Sequence, residues 1–291
     1  MAQIHPTAIV DASAKLASSV AIGPWCTIGP RVEIGEDTVL RTHVHITAMT
    51  RIGKANTFHP YCVIGGDPQD LKWHGEPTWL EMGDYNMVRE HATIHRGTGN
   101  GGGTTQIGSH NMLMGNVHIA HDCVIGNHVI MANNVMLAGH THIEDYANLG
   151  GGAGVHHFAR IGYCAFVGAM SRVAKDVPPF MLCEGSPAAI RGFNQIGMSR
   201  LGFDEKEIEA VKDAFKRIFR SKGGSAASEM KGLRAAHPKS QALARILSAL
   251  QQINSGVHGR ALETARTDDK RAVRSGAGSR AGTNHDPVVP S

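Results

Sequence analysis

The sequence predicts a mainly β protein: a parallel β-helix of six-residue units, followed by a small α-helical domain. Three observations predict it. An apolar residue recurs at every sixth position, from Ile4 through Val10, Leu16 and Ile22 to Ile64, again at Met82, Val88 and Ile94, and from Ile107 to Val173. With 42% hydrophobic residues overall, chance would not keep every one of these positions apolar. Two residues earlier sits a small or β-branched residue, as at Val20, Cys26, Val32, Cys123, Ala147 and Ala165. Many of the aliphatics are followed by Gly, as at Ile22-Gly23, Ile28-Gly29 and Ile125-Gly126. The period fits neither a helix nor a simple strand. It marks a repeat in which each unit is a short strand and a corner, and three units close a triangular coil of about eighteen residues. Coils stacked about 4.8 Å apart bury the aliphatic and its small neighbour. The Gly is expected to take the positive φ of the corner.

The repeat domain is expected over 1–190, starting almost at the first residue. Two insertions break its phase, at about 67–79 and 97–106; the second is Gly-rich and expected to be flexible. The pattern stops at Asp176-Val-Pro-Pro179. A helical domain follows over 191–256. One helix is expected from Asp204, a capping residue with Glu205 and Glu207 in the first turn, to Lys222. Its apolar stripe is Ile208, Val211, Ala214, Phe215, Ile218 and Phe219. A second is expected from Ser240 to Ile253. Residues 257–291 turn to Gly, Arg, Ala, Ser and Pro and read as a disordered tail.

Charge and cysteines exclude some classes. A formal charge of +4 forces no nucleic-acid partner. Cys26, Cys62 and Cys123 fall on core positions of the repeat, and the five Cys lack paired or metal-ligand spacing. That suits a reducing, cytoplasmic setting. No signal peptide and no transmembrane run is read from the sequence.

Chemistry is expected where the histidines align. Residues one coil apart stack, so His121, Gly139 and His157 form one column. Asp122, His140 and Phe158 form the next, and His118, Met136 and Gly154 a third. A single His is usually a solvated surface residue, whereas a register of His118, His121, His140, His156 and His157 points to a site. A neutral imidazole suits general-base catalysis on an alcohol or amine attacking an activated acyl group. It equally suits zinc ligation with an open position for water. The γ-class carbonic anhydrases place zinc-binding His between subunits of such a helix, and that hydratase reading stands as the alternative. No HExxH or CxxC favours a metal. Flat β-helix faces favour assembly as a cyclic trimer.

The motifs HIAHDC (118–123), TIHRG (93–97), QDLKW (69–73), LAGH (137–140) and DVPPF (176–180) carry a closer likeness. With them the chain resembles the UDP-N-acetylglucosamine acyltransferases that begin lipid A synthesis, within the hexapeptide-repeat superfamily. The resemblance implies a left-handed β-helix and a homotrimer. It implies transfer of an (R)-3-hydroxyacyl group from acyl carrier protein to the 3-hydroxyl of UDP-N-acetylglucosamine, without a cofactor. His121 matches the catalytic base, and Gly139 an oxyanion-binding amide. Asp122 is a candidate to orient His121, although adjacent strand residues point to opposite faces. Asp70, Lys72, His95, His118, His140 and His156 match substrate contacts, and Asn194 and Arg200 nucleotide contacts. His157 stands at a substrate-facing position where the family pattern has Gln. Ile196 and Leu201 also depart from that pattern. Ala169 aligns with the residue that caps the acyl groove. The basic residues Lys212, Lys216, Arg217 and Arg220 are expected to face the acidic carrier protein.

Overall fold

The computed structural model describes residues 2–221, 226–256 and 258–263. Two-residue strands recur every six residues and pair in parallel with the strand one coil on, as in Ala21↔Val39, Thr27↔His45 and His118↔Met136. They form three faces of 11, 9 and 8 strands among the described residues. The first face runs from Gln3–Ile4 to the hairpin of Met181–Gly185 and Ala188–Phe193. The second begins at Ile9–Val10 and the third at Lys15–Leu16. The mainly β architecture is as expected, and the hexad aliphatics from Ile22 onward are buried in one continuous core. Ile4, in the first coil, stays exposed because no coil covers it on one side, and Ile9 is exposed because it faces outward beside the hexad Val10.

The expected task of the Gly residues is corrected. Corners are turned by non-glycine residues three after the aliphatic: φ is 60° at Trp25, 57° at Asp37, 59° at Asp122 and 61° at His140. The left-handed conformation costs such residues roughly 1–2 kcal/mol. Register offsets part of that cost, because corner side chains stack on those of the next coil. Rings of Tyr85, His110, His128 and Tyr146 lie 4.9, 4.8 and 4.7 Å apart and nearly parallel. That spacing is the coil spacing and also suits aromatic stacking, worth about 0.5–1.5 kcal/mol per pair. The Gly after the aliphatic serves close approach instead. A Cβ on Gly29 would lie 1.4 Å from the Thr47 carbonyl oxygen of the next coil.

Beyond the hairpin, four α-helices follow among the described residues: α1 (Gln195–Arg200), α2 (Glu205–Ala214), α3 (Ala226–Ala236) and α4 (Gln241–Ser255). The expected first helix continues from α2 through a π-helical segment, Phe215–Arg220. Asp204 caps α2, as read from sequence, and Ser240, where the second helix was expected to begin, caps α4. The Glu207 carboxylate of α2 accepts from the Gln241 and Ala242 amides at the start of α4, each at 2.9 Å. A negative charge there is favoured by the helix dipole. Helices α1 and α3 and the hairpin carry no clear periodic signal and were not expected. No described helix is long and apolar enough to cross a membrane.

The tail boundary needs correction. Gly259–Glu263 forms a 3₁₀ turn docked on the end of the β-helix. There the Arg260 amide donates to Asp176, and its guanidinium to the carbonyls of Ala174 and His157. Residues 264–291, the rest of the tail, lie outside the described residues. Of the basic residues expected to be open, Lys212 pairs with Glu209 at 2.8 Å and Arg217 with Glu229 at 2.7 Å. Lys216 and Arg220 form no ion pair among the described residues.

Candidate active site

Three edges join the faces, and the site residues divide among them. His121 and Asp122 turn the edge between the second and third faces, after strand His118–Ile119 and before Val124–Ile125. His140 and His157 turn the same edge one and two coils on. Both insertions leave from it too, one between Gly66 and Trp79 and the other between His95 and Thr104. The expected histidine columns are therefore real.

His121 is fixed from two sides. Its Nδ1 lies 2.7 Å from Asp122 Oδ2, and both side chains are buried. The worry that neighbours point apart does not apply. Asp122 is a left-handed corner residue rather than a strand residue, and the sharp turn brings both side chains to one side. Asp122 is held in turn. Its carboxylate accepts from the Thr98 amide at 2.8 Å and the Thr98 hydroxyl at 2.7 Å, while its own amide donates to Thr105 Oγ1. Burial alone would raise the Asp122 pKa. The hydrogen bonds from His121 and Thr98 outweigh it and hold the carboxyl below its usual range. The carboxylate thus stays charged and orients the ring, leaving Nε2 for chemistry. Thr98 belongs to the second insertion, so that Gly-rich segment, expected to be flexible, is tied down at the site. Thr98 itself was missed, since nothing in a Gly-rich loop announces a carboxylate partner.

Gly139 lies against the ring. A Cβ there would come within 2.5 Å of His121 Cε1. The Gly139 amide has no acceptor among the described hydrogen bonds, which leaves it open to a ligand oxygen. The His140 ring meets His121 edge to face at 5.2 Å, and its Nε2 lies 3.7 Å from Asp122 Oδ2. His118 Nδ1 pairs with Thr93 Oγ1 at 2.8 Å, and burial pushes its pKa down. His95 is buried edge to face on His118 at 5.0 Å. Burial, with help from His118 and His121, lowers its pKa to about 4.

His95 carries a stability prediction. The folded chain keeps the ring neutral down to about pH 4, whereas an unfolded His takes a proton near pH 6.5. Between those values the unfolded state binds more protons, so stability is lost as pH falls through that window. We expect a loss on the order of 2 kcal/mol between pH 7 and pH 4.5, much reduced in His95→Asn. Denaturant midpoints at the two pH values check it. An equal loss in the variant would assign the acid sensitivity elsewhere.

A groove of about 420 Å³ runs along this edge, lined by Gln69, His118, His121, Gly139, His156, His157 and Arg172 among others. A larger hollow of about 900 Å³ lies over the third face, along Lys15, Glu33, Arg51 and Glu81. Those side chains already pair with one another, Lys15 with Glu33 at 2.8 Å and Arg51 with Glu81 at 2.7 Å. The histidine groove is the better site because its polar groups converge on open space.

The remaining expected residues are spread around the prism. Asp70 and Lys72 lie in the first insertion, 3.7 Å apart, in the same loop as the groove-lining Gln69. Asn194 sits at the edge between the third and first faces, where its amide caps α1 and donates to the Cys164 carbonyl at 2.9 Å. Its first task is structural. Arg200 ends α1 and is exposed. Ala169 is exposed at the third edge, between the first and second faces. One chain does not bring Asn194 or Ala169 to His121. His121, Asp122 and His140 place one ligand atom each within 4.8 Å, enough to hold a cation. This set has two His and a carboxylate already accepting three hydrogen bonds, rather than the three His that the hydratase alternative requires.

Comparison with known proteins points one way. A family model described as UDP N-acetylglucosamine O-acyltransferase, domain 2, matches residues 176–258. One described as bacterial transferase hexapeptide matches residues 104–139. The chain is 44% identical to LpxA from Acinetobacter baumannii, covering 86% of this chain and 96% of that one, with a TM-score of 0.82. It is equally similar to the UDP-N-acetylglucosamine O-acyltransferase (LpxA) of Moraxella catarrhalis, with the same coverage and TM-score. The Arabidopsis UDP-N-acetylglucosamine acyltransferase is 32% identical over 86% of this chain and 96% of its own, with a TM-score of 0.77.

Proposed function

The chain belongs to the UDP-N-acetylglucosamine O-acyltransferase family, and from that premise we propose that it transfers a 3-hydroxyacyl group from acyl carrier protein to the sugar 3-hydroxyl of UDP-N-acetylglucosamine, the first step of lipid A synthesis. The observation that carries the reading is the fixed pair His121–Asp122 at the head of an open groove. His121 Nε2 takes the proton of the 3-hydroxyl as that oxygen attacks the thioester carbonyl. The Asp122 carboxylate stabilises the imidazolium that forms. Negative charge develops on the former carbonyl oxygen, and the Gly139 amide is aligned by family resemblance to receive it. Collapse of the intermediate expels the carrier's thiolate, which takes the proton back from His121. No acyl-enzyme forms, because the donor arrives activated. Asp70, Lys72, His95, His118, His140, His156 and His157 are proposed to contact the acceptor and the acyl hydroxyl.

Mass spectrometry of the product made from UDP-N-acetylglucosamine and a panel of hydroxyacyl carrier proteins tests the reading. An ester at the 3-position supports it, and acylation of some other acceptor overturns it. The same panel, run on Ala169→Met, reads whether Ala169 limits acyl length. Shorter preferred donors are expected. Lys216 and Arg220 remain the candidates for the carrier protein, and a donor KM that rises with salt supports that contact.

The site is proposed to be shared between chains of a homotrimer. Its support is geometric. Asn194, Ala169 and His121 sit on three different edges of one prism, so a single substrate meets all three only where edges of neighbouring chains come together. Mixed trimers of His121→Ala chains and Arg200→Ala chains, altered on different edges of the prism, are expected to show activity above that of either parent. Verified mixed trimers without recovery would place the working site within one chain.

A further inference from the structure

Arg96 lies where the two insertions cross, and its side chain is 3% exposed. Its Nη1 donates to the Gly65 carbonyl at 2.6 Å, one coil back, and to Thr47 Oγ1 at 3.3 Å, two coils back. Its Nη2 donates to Asp67 at 2.5 Å. The Trp73 ring stands 6.0 Å from Cζ. Gly65, Asp67 and Trp73 bracket the start of the first insertion. Backbone bonds from the Arg96 amide to Gly66 O and from the Gly97 amide to Trp79 O close its root. A buried guanidinium needs a countercharge and acceptors. Here the countercharge is Asp67 and the shortest carbonyl acceptor is Gly65, both at the segment leading into Gln69, Asp70 and Lys72, while Nε finds no partner among the described residues.

Two residues on from Arg96 in the other direction stands Thr98, which holds Asp122. The insertions are joined a second time through Glu76, whose carboxylate accepts from the Gly99 amide at 3.1 Å. One side chain therefore links the loop expected to contact substrate to the segment that fixes the base's carboxylate. Planar, two-pronged donation is what Arg supplies and Lys does not.

We propose that Arg96, with Asp67 as its counter-ion, is a positioning residue that sets the Asp67–Thr78 loop against the His121 groove and so controls acceptor affinity. The proposal rests on the acyltransferase reading for its substrate, but its structural half does not.

The test uses the full chain carrying Asp67→Ala, Asp67→Asn or Arg96→Lys. Asp67 is largely exposed, so its variants are expected to fold. Hydrogen exchange of the loop amides, including Trp73 and Lys72, is read beside kcat and KM. The Asp67→Ala loop is expected to exchange faster. Its KM for UDP-N-acetylglucosamine should rise about fivefold, the order of one weak ion pair, with kcat held within about twofold. Asp67→Asn, which still accepts the hydrogen bond, is expected to restore most of the affinity. Arg96→Lys loses the fork, and its KM should rise about tenfold or more. Unchanged loop exchange and unchanged acceptor KM in Asp67→Ala would overturn the proposal, whatever Arg96→Lys does. If UDP-N-acetylglucosamine is not the acceptor, the acyltransferase reading fails by itself. Loop exchange still decides whether Arg96 and Asp67 hold the loop.

Discussion

Replacing His121 with Ala is expected to cut turnover by at least about 10²-fold, the low end of what a positioned acid or base contributes. The chain has arranged much around this one ring. Asp122 holds Nδ1 at 2.7 Å, Thr98 holds Asp122, and His140 meets the ring edge to face. Neighbouring His118 and His95 are poor substitutes, because burial lowers the pKa of both. An alanine at the corner costs little packing, since the surrounding coil is held by the buried Ile119, Cys123 and Ile125. Thermal midpoint and oligomeric state are therefore expected to stay close to those of the parent chain. Asp122→Asn gives a companion reading. An amide still occupies the space, but it cannot stabilise an imidazolium by charge, so kcat should fall while the fold holds. Near-normal turnover of His121→Ala at neutral pH would remove this residue from the mechanism.

Gly139→Ala is expected to cost a similar factor, through geometry rather than lost chemistry. The backbone there does not occupy the left-handed region, so alanine meets no conformational barrier. The obstacle is the His121 ring, 2.5 Å from the added methyl carbon. Either the ring turns away and loosens its bond to Asp122, or the corner carrying the Gly139 amide moves. Both disturb groups that must meet the same reacting carbonyl, and a displacement of about 1 Å is enough to lose about 10²-fold. The loss is expected mainly in kcat, with the circular dichroism spectrum unchanged. A Gly139→Ala chain with unaltered kcat would show that neither the ring position nor that amide limits the reaction.

The helix capping and the repeat were legible for the same reason: both depend on contacts set by short, fixed spacings. Asp204 caps the helix expected from it, and the second helix begins at Ser240 as expected. The histidine columns were legible because a fixed coil length turns sequence separation into adjacency. The glycine rule was misread because a repeat pattern reports where Gly recurs and not why. Close approach between coils and a positive φ leave the same mark in a sequence. The hairpin, α1 and α3 escaped because their apolar residues follow no sustained period. The docking of Arg260 on Asp176 joins positions 84 apart, with no spacing that would announce it.

By itself the sequence determined the β-helix, the edge on which His121, His140 and His157 align, and the family to which these motifs belong. A strict six-residue period leaves the chain one way to bury its aliphatics. Only the tertiary structure decided how the base is held. Asp122 joins His121 because a left-handed corner cancels strand alternation, Thr98 reaches Asp122 from another coil, and Arg96 gathers the roots of the first insertion. Each of these is a contact between a corner and an insertion whose path no periodicity fixes, and the hydrogen bonds that set that path exist only once the coils have stacked.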